Sequence, residues 1–580
     1  MNKSKASKEV AMFHETKKNI VSILVTGVLF FSGPAAAETY YVAPDGDDGH
    51  PGTEAEPWLT IQKAADTMVA GDTTIVKAGT YTESGNTNRA MITPAGSGEP
   101  GSLVTFRADP GDAVIIDGRG GRQFAFELNG LDYIRIEGFE ITGITGHGIL
   151  VSWDSEHGFG IEIVGNDIHG CGTGSPDTAA VYYRFSRHGL IENNRLHHNG
   201  GDGITMEVTD GIAIRNNAIY ENAVDGIKGG GSGAIIIENN TIHDMTSGEY
   251  HGDCIQYMGN EAVIRNNVFY NCTQDIYVDT YSDPAGSSPR GDFYIYNNIV
   301  YNPDPGPDGT EGYYNGISID QRYNSINALY VFNNTIVNQN SGHGGFGNGT
   351  TVEYKIGTLM IMNNVFLNSV NGVNFENAGT TELDYNLYYN EFRDWYLPGF
   401  VGLDEFRAGN PEYEVHGMNL DPLLALELTS TNPVTDPDFT LQSGSPAIDA
   451  GAALSAYFTA DIAGTPRPQG AGWDIGAYEY AEPRPCADLG GACCDEGLAC
   501  EGGVMAVSTD CGARCCLGGI CTAPSDPAGD GAAETVEDGV DGIGPDVIPD
   551  LRPDTAGDAG ADGEQEGEGG GEGCGCALVL

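Results

Sequence analysis

The chain has 580 residues, a formal net charge of −55 at pH 7, and only four lysines after residue 37: Lys63, Lys77, Lys228 and Lys355. Such a length allows several domains and a large core. The acidic balance argues against nucleic acid and anionic membrane surfaces as partners, and it disfavours a polyanionic ligand unless a cation bridges the two.

Residues 1–37 read as a signal peptide. Lys3, Lys5, Lys8, Lys17 and Lys18 form a basic region, Ile20 to Phe31 an apolar one, and Ala35-Ala36-Ala37 a small-residue cleavage site. An exported chain meets an oxidising compartment. No later segment is apolar enough to span a membrane, so the mature chain is expected to carry no transmembrane helix.

Residues 38–100 read as an N-terminal cap and first coil, with one helix at about Pro57 to Met68 and then the strand "TTIVKAGTY". Asp45, Asp47 and Asp48 read as an acidic turn, with calcium binding as the other reading. Residues 101–390 carry a repeat of paired asparagines between alternating apolar strands: "IENNRL", "IRNNAI", "IENNTI", "IRNNVF", "IYNNIV", "VFNNTI" and "IMNNVF". The second asparagines are Asn194, Asn217, Asn240, Asn267, Asn298, Asn334 and Asn364, with degenerate copies at Asn166 and Asn386. Asparagine tolerates the left-handed backbone of a sharp turn, and stacked on itself it hydrogen-bonds from coil to coil. Constant turn chemistry with insertions of varying length describes a solenoid of β-coils, three short strands per coil.

Residues 391–482 read as a closing segment, from "DPDFTLQSGSPAIDAG" and "RPQGAGWDIGAYEY". Residues 483–522 form a Cys-rich module with eight cysteines, Cys486, Cys493, Cys494, Cys500, Cys511, Cys515, Cys516 and Cys521, read as four disulfides of undetermined pairing. Cys254 and Cys272 fall on adjacent coils as a further candidate pair, which leaves Cys171 free. Residues 523–580 are rich in Gly, Asp, Glu and Pro, a composition that cannot bury a core and reads as a disordered acidic spacer before a terminal GCGC motif.

The asparagine repeat resembles the right-handed parallel β-helix of the pectate lyase superfamily over roughly residues 100–390. The expected fold is therefore all-β, a right-handed parallel β-helix with an N-terminal helical cap. The closing segment resembles that of surface-anchored β-helix proteins. The end of the chain resembles the start of the Cys-containing C-terminal sorting signal of myxobacteria and their relatives, which implies a secreted protein tethered to the cell surface through its C-terminus. A monomer is expected.

One strand of each coil stacks by its apolar spacing: "AAVYYR", "DGITME", "DGIKGG", "DCIQYM", "QDIYVD", "NGISID" and "NGVNFE". Alternation sends Val181, Ile204, Ile227, Ile255 and Ile276 inward. The outward pairs are Tyr182/Arg184, Thr205/Glu207, Lys228/Gly230, Gln256/Met258, Tyr277/Asp279 and Ser318/Asp320. Gly230 leaves a gap beside Lys228, while Asp202, Asp225 and Asp253 line the leading edge. A lysine among carboxylates with flanking aromatics suits β-elimination on an acidic, uronate-bearing polysaccharide. There the substrate carboxylate must be neutralised and a base must take the neighbouring proton.

The face resembles polysaccharide lyase family 9. The resemblance implies Lys228 as the base and Asp202, Asp225 and Asp253 as ligands of Ca2+. His251 is a candidate acid catalyst, and Tyr182, Arg184, Gln256 and Tyr277 a substrate-binding track. Carboxylates raise a lysine pKa and so oppose a basic role, which only bound calcium would reverse locally. Structural readings stand beside these: aspartates as turn residues, and Lys228 as their ion-pair partner. A non-catalytic surface protein that binds glycans or partners is the alternative. A hydrolase would draw on Glu207, Asp279 and Asp320.

Overall fold

Short segments in which every second residue is apolar wind into three parallel sheets of 13, 11 and 13 strands among the described residues. The structure is a computed structural model. It describes residues 37–82, 89–151, 157–172, 175–231, 233–245, 252–279, 290–302, 315–320, 325–339, 346–349, 356–369, 373–374, 378–390, 402–425, 438–482, 491–494, 499–501, 504–508, 512–517 and 520–522. The chain divides into two compact units, Met1–Glu482 and Pro483–Leu580.

The first unit is a right-handed parallel β-helix. In one representative coil, sheet A takes Leu190–Glu192, sheet B takes Arg195–His197 and sheet C takes Asp202–Thr209. The inward residues of all three sheets merge into one apolar core, in which Ile191, Leu196, Ile204 and their equivalents in other coils are fully buried.

The paired asparagines divide their labour. The first of each pair bends the chain from sheet A to sheet B with a left-handed backbone, as at Asn193, Asn239 and Asn363 with φ of 58°, 57° and 60°. The second is buried and forms a ladder. From Asn166 through Asn194, Asn217, Asn240, Asn267, Asn298, Asn334 and Asn364 to Asn386, each Nδ2 donates to the Oδ1 of the next at 2.9 to 3.2 Å. The same Oδ1 also accepts the backbone N–H of the preceding rung. Each interior rung therefore has its amide donors and acceptor used, as a buried polar group requires. The last rung is not an asparagine: Asn386 Nδ2 donates to Glu414 Oε1 at 2.7 Å.

Two expectations are corrected. The N-terminal helix is only Ile61–Ala65, because Trp58 is committed to a bridge with the first strand: its N–H donates to Tyr41 O and its carbonyl accepts from Ala43 N–H. The sheets begin with Thr39–Val42, within the segment read as cap and first coil, and sheet B runs on to Met418–Asn419, within the segment read as closing. Sheet C also contains a coil absent from the sequence alignment of strands, Phe346–Gly349, which pairs Ser318 with Gly347 and Gly347 with Asn374. Its Gly-rich sequence lacks the apolar alternation that marked the others. Asp48, from the acidic turn, accepts Leu59 N–H and Thr60 N–H at 3.0 and 2.9 Å and so stabilises the approach to the short helix.

The closing segment packs along the side of the solenoid. Leu424, Phe439, Leu441 and Ile475 cover the outward residues Ile299, Tyr301, Val365 and Leu387 of sheet B. Phe458 and Trp473 cover Tyr296, Phe332 and Met362 of sheet A. At the corner between them the left-handed asparagines Asn297, Asn333 and Asn363 donate to Ala460 O, Asp474 O and Ala452 O at 2.8 Å each. A fully buried Arg467–Glu479 ion pair at 2.9 Å fixes the segment internally. These apolar contacts fall on sheets A and B, and the outer row of sheet C has no part in them.

The second unit is described as two small antiparallel sheets, one of Gly491–Cys493, Val504–Ser508 and Gly512–Leu517, the other of Ala499–Glu501 and Ile520–Thr522. Cys494 and Cys521 form a disulfide, and Cys493, Cys515 and Cys516 are also disulfide-bonded. In the first unit Cys254 and Cys272 are joined, with Cα atoms 5.5 Å apart, while Cys171 is free and buried. Cys486, Cys511 and the tail 523–580 lie outside the described residues. No described helix is long and apolar enough to cross a membrane.

Candidate functional site on the outer face of sheet C

Strand register assembles the site. Tyr182, Thr205, Lys228, Gln256, Tyr277 and Ser318 pair one to the next across successive coils of sheet C. Their inward neighbours Val181, Ile204, Ile227, Ile255, Ile276 and Ile317 are all buried, which fixes which face of each strand looks out.

At the leading edge of this face Asp202, Asp225 and Asp253 stack as a second, acidic ladder, each 3 % exposed or less. Asp225 N–H donates to Asp202 Oδ1 at 3.1 Å, and Asp253 N–H donates to Asp225 Oδ1 at 3.0 Å. The other oxygen of each lower rung takes a donor three residues further along its own strand. Thr205 Oγ1 donates to Asp202 Oδ2 at 2.6 Å, and Lys228 Nζ lies 3.2 Å from Asp225 Oδ2. Gln256 holds the equivalent place after Asp253, whose buried carboxyl draws on the backbone and side chain of Gln274 in the next coil.

The charges follow from this crowding. Burial, and then the charge of Asp225, push Asp202 up to about 7, against the pull of Lys228 and Thr205. Burial and Asp225 likewise hold Asp253 well above the ordinary carboxylate range. Burial lowers the Lys228 pKa, but Asp202, Asp225 and Asp253 outweigh it, and the net shift is upward. Lys228 is thus an ammonium held among acids, with its side chain 34 % exposed.

The glycines after Lys228 have a packing reason. Gly229 sits at φ 100°, a region L side chains rarely adopt. A Cβ at Gly230 would run into the backbone of Met258 and Gly259, and one at Gly231 into Thr209 O. The expected gap at Gly230 is therefore filled by the neighbouring coil, not open to a ligand.

Tyr182 also departs from expectation. It faces outward, but it is 7 % exposed, stacked on His147 with ring centroids 4.3 Å apart, and its hydroxyl donates to Glu207 Oε1 at 2.7 Å. Arg184 Nε binds Glu207 Oε2 at 3.1 Å. Tyr182 is a wall of the site and not a free stacking platform; Arg184, Gln256 and Tyr277 are partly exposed. His251 lies outside the described residues, as do the side chains of Asp279 and Asp320.

The calcium reading was tested against this donor set. Asp202 and Asp225 have both oxygens engaged by protein donors, and Asp202, Asp225 and Asp253 do not form one of the compact ligand groups found among the described residues. As they stand, the three carboxylates do not fit a calcium ion.

Sequence reading missed Thr205 as the partner of Asp202, although the spacing Asp-x-x-Thr, Asp-x-x-Lys, Asp-x-x-Gln is visible in three successive strands. It also missed His147, whose Nδ1 accepts Ala179 N–H at 3.1 Å and whose pKa burial and then Arg89 lower to about 4. Nothing local marks that histidine, because its partners come from two other coils.

Residues 40–234 match the family described as Pel9A-like, right handed beta helix region. That stretch contains Tyr182, Arg184, Asp202, Asp225 and Lys228, and over it the fold is a parallel β-helix. Among curated proteins, the chain is 40 % identical over 98 residues to pectate lyase PEL9 of Emericella nidulans, covering 17 % of this chain and 22 % of that one. It is 28 % identical over 129 residues to the uncharacterized protein YwoF of Bacillus subtilis, covering 22 % of this chain and 26 % of that one. The matches thus span about a quarter of these relatives' length. Among solved structures, a complex of XylC with xylose aligns at TM-score 0.49 and 14 % identity, covering 76 % of this chain and 99 % of that one. Pectate lyase Pel9A aligns at TM-score 0.45 and 16 % identity, covering 76 % and 96 %.

Proposed function

We propose that the chain acts on an acidic, uronate-bearing polysaccharide by β-elimination on the outer face of sheet C, exported and tethered at the cell surface. The observation that carries this reading is the partly exposed Lys228 in the outer row of sheet C, inside the segment that matches the Pel9A-like region. In β-elimination a base, here solvent hydroxide while Lys228 keeps its proton, takes the proton next to a uronate carboxylate. That C–H electron pair becomes the new C=C bond, and the glycosidic oxygen leaves and takes a proton from water. The proton next to the carboxylate becomes acidic once the carboxylate charge is neutralised. Lys228, held protonated by Asp225, suits neutralisation better than proton abstraction, because a base must first give up its proton. Arg184 and Tyr277 flank it along the coil axis.

The Lys228–Asp225 ion pair also favours a second reading, a surface β-helix that binds the same glycans without cleaving them. One assay separates the two. The mature chain is incubated with pectate, alginate and glycosaminoglycans, in calcium and in chelator, and the ultraviolet absorbance of unsaturated uronate ends is followed beside Lys228→Ala. Lysis lost in the variant supports the enzyme. Retention of the glycan with no absorbance supports the binder. Neither signal on any uronan overturns both.

A further inference from the structure

The acidic ladder has a property that bears on how the site is charged, and the inference below deepens the reading just given. We propose that Lys228 is the resident cation of the aspartate ladder, a tethered ammonium that takes the part a metal ion would otherwise play and leaves this face independent of divalent cations.

Three carboxyl groups stacked in successive coils, about 4.8 Å apart and almost wholly out of water, repel one another when ionised, so that Asp202 and Asp253 hold their protons more tightly and Asp225 between them needs a counter-charge. Such a stack needs a positive charge. Lys228 acts on all three: it meets Asp225 directly at 3.2 Å and interacts electrostatically with Asp202 and Asp253. The remaining oxygens of Asp202 and Asp225 are taken by Thr205 and by two backbone N–H groups. Asp253 is the exception. Its donors are the backbone and side chain of Gln274 in the next coil, and it is the rung beyond Lys228. The ladder is thus completed by one chain-borne cation at its middle rung. An ammonium carries three protons, and the solvent-facing part of Lys228 remains open to a carboxylate from outside.

Replacing the ammonium by an apolar side chain of like length should leave the three acids short of one charge, and an added divalent cation should then compensate. The full chain is melted in chelator and in CaCl2 as wild type, Lys228→Met, Lys228→Arg and Asp225→Asn. All four share the rest of the chain, so the differences between them are read. Expected are a wild-type melting temperature indifferent to calcium, a Lys228→Met variant that melts lower in chelator and recovers in calcium, and a Lys228→Arg variant that follows the wild type. If Lys228→Met fails to fold, its refolding yield with and without CaCl2 gives the same readout. A wild type stabilised by several degrees in calcium, with the effect abolished by Asp225→Asn, overturns the proposal. So does a Lys228→Met variant that melts like wild type and ignores calcium. No polysaccharide enters this test, so its failure is separate from failure of the lyase assay.

Discussion

Two ladders run along two corners of the same solenoid, and they differ in one atom type per rung. The asparagine ladder extends over nine residues from Asn166 to Asn386 without a charge. The aspartate ladder stops after Asp202, Asp225 and Asp253 and contains a lysine. An amide both donates and accepts, so each rung satisfies the next and the stack can continue as long as the coils do. An ionised carboxylate only accepts. Its rungs draw donors from the backbone and from residues three positions along, and their repulsion accumulates with length. The neutral ladder therefore closes on itself, while the charged one brings an ammonium, Lys228, partly exposed to the outer face of sheet C.

The largest effect is expected from making the first ladder resemble the second. Asn240→Asp removes the donor to Ile214 O and Asn267 Oδ1 and buries a charge. Its expected cost is about 3–5 kcal/mol, read from the midpoint of chemical denaturation. Unchanged stability would mean that the ladder is ornamental.

The next effect is on pH. Asp202 and Glu414 are raised to about 7 and Asp474 to about 6, burial being the first cause in each. A raised carboxyl binds its proton more tightly in the folded chain. Its contribution to stability is full below the unfolded pKa and is lost as pH rises through the folded one. His147, lowered to about 4, opposes this below its ordinary value. Three acids against one histidine predict a higher melting temperature at pH 5 than at pH 8; the reverse order would contradict the burial of these acids.

Glu414→Gln sharpens the comparison by giving the asparagine ladder an amide at its end. Glu414 Oε1 accepts from Asn386 Nδ2 at 2.7 Å and from Tyr388 Oη at 2.6 Å, which Gln can keep, while Oε2 accepts Asn386 N–H at a long 3.3 Å, which Gln loses. A gain of about 1–2 kcal/mol is expected at pH 8 and little change at pH 5. The smallest effect is expected of Asp253→Asn, which removes one repulsive charge beside Asp225 and supplies a donor. It should stabilise by about 0.5–1 kcal/mol at pH 8, measured by the same denaturation. A loss instead would show that the Asp253 charge is needed in the free protein.

Much of the fold was legible because its rules are local. The inward set Val181, Ile204, Ile227, Ile255 and Ile276 follows from alternation, and all five are buried. The same alternation placed Lys228 in the outer row with Gln256 and Tyr277, and their register agrees. The site was less legible. Tyr182 reads as an exposed ring, but His147 and Glu207 from neighbouring coils enclose it. Gly230 reads as a gap, but Met258 and Gly259 occupy it. Phe346–Gly349 lacks the apolar alternation that marks the other strands of sheet C, but backbone pairing with the coil before it makes it a strand.

The sequence by itself determined the coil, its three-strand period and the corner at which asparagines stack, because side-chain alternation and turn conformation depend on residues only a few positions apart. Only the tertiary structure decided that the described part of the closing segment lies against sheets A and B. Only it decided that Lys228 meets Asp225, and that Asp253 draws on Gln274 of the next coil. Those facts depend on distances between coils separated by insertions of unequal length, and on which neighbours reach a polar atom first.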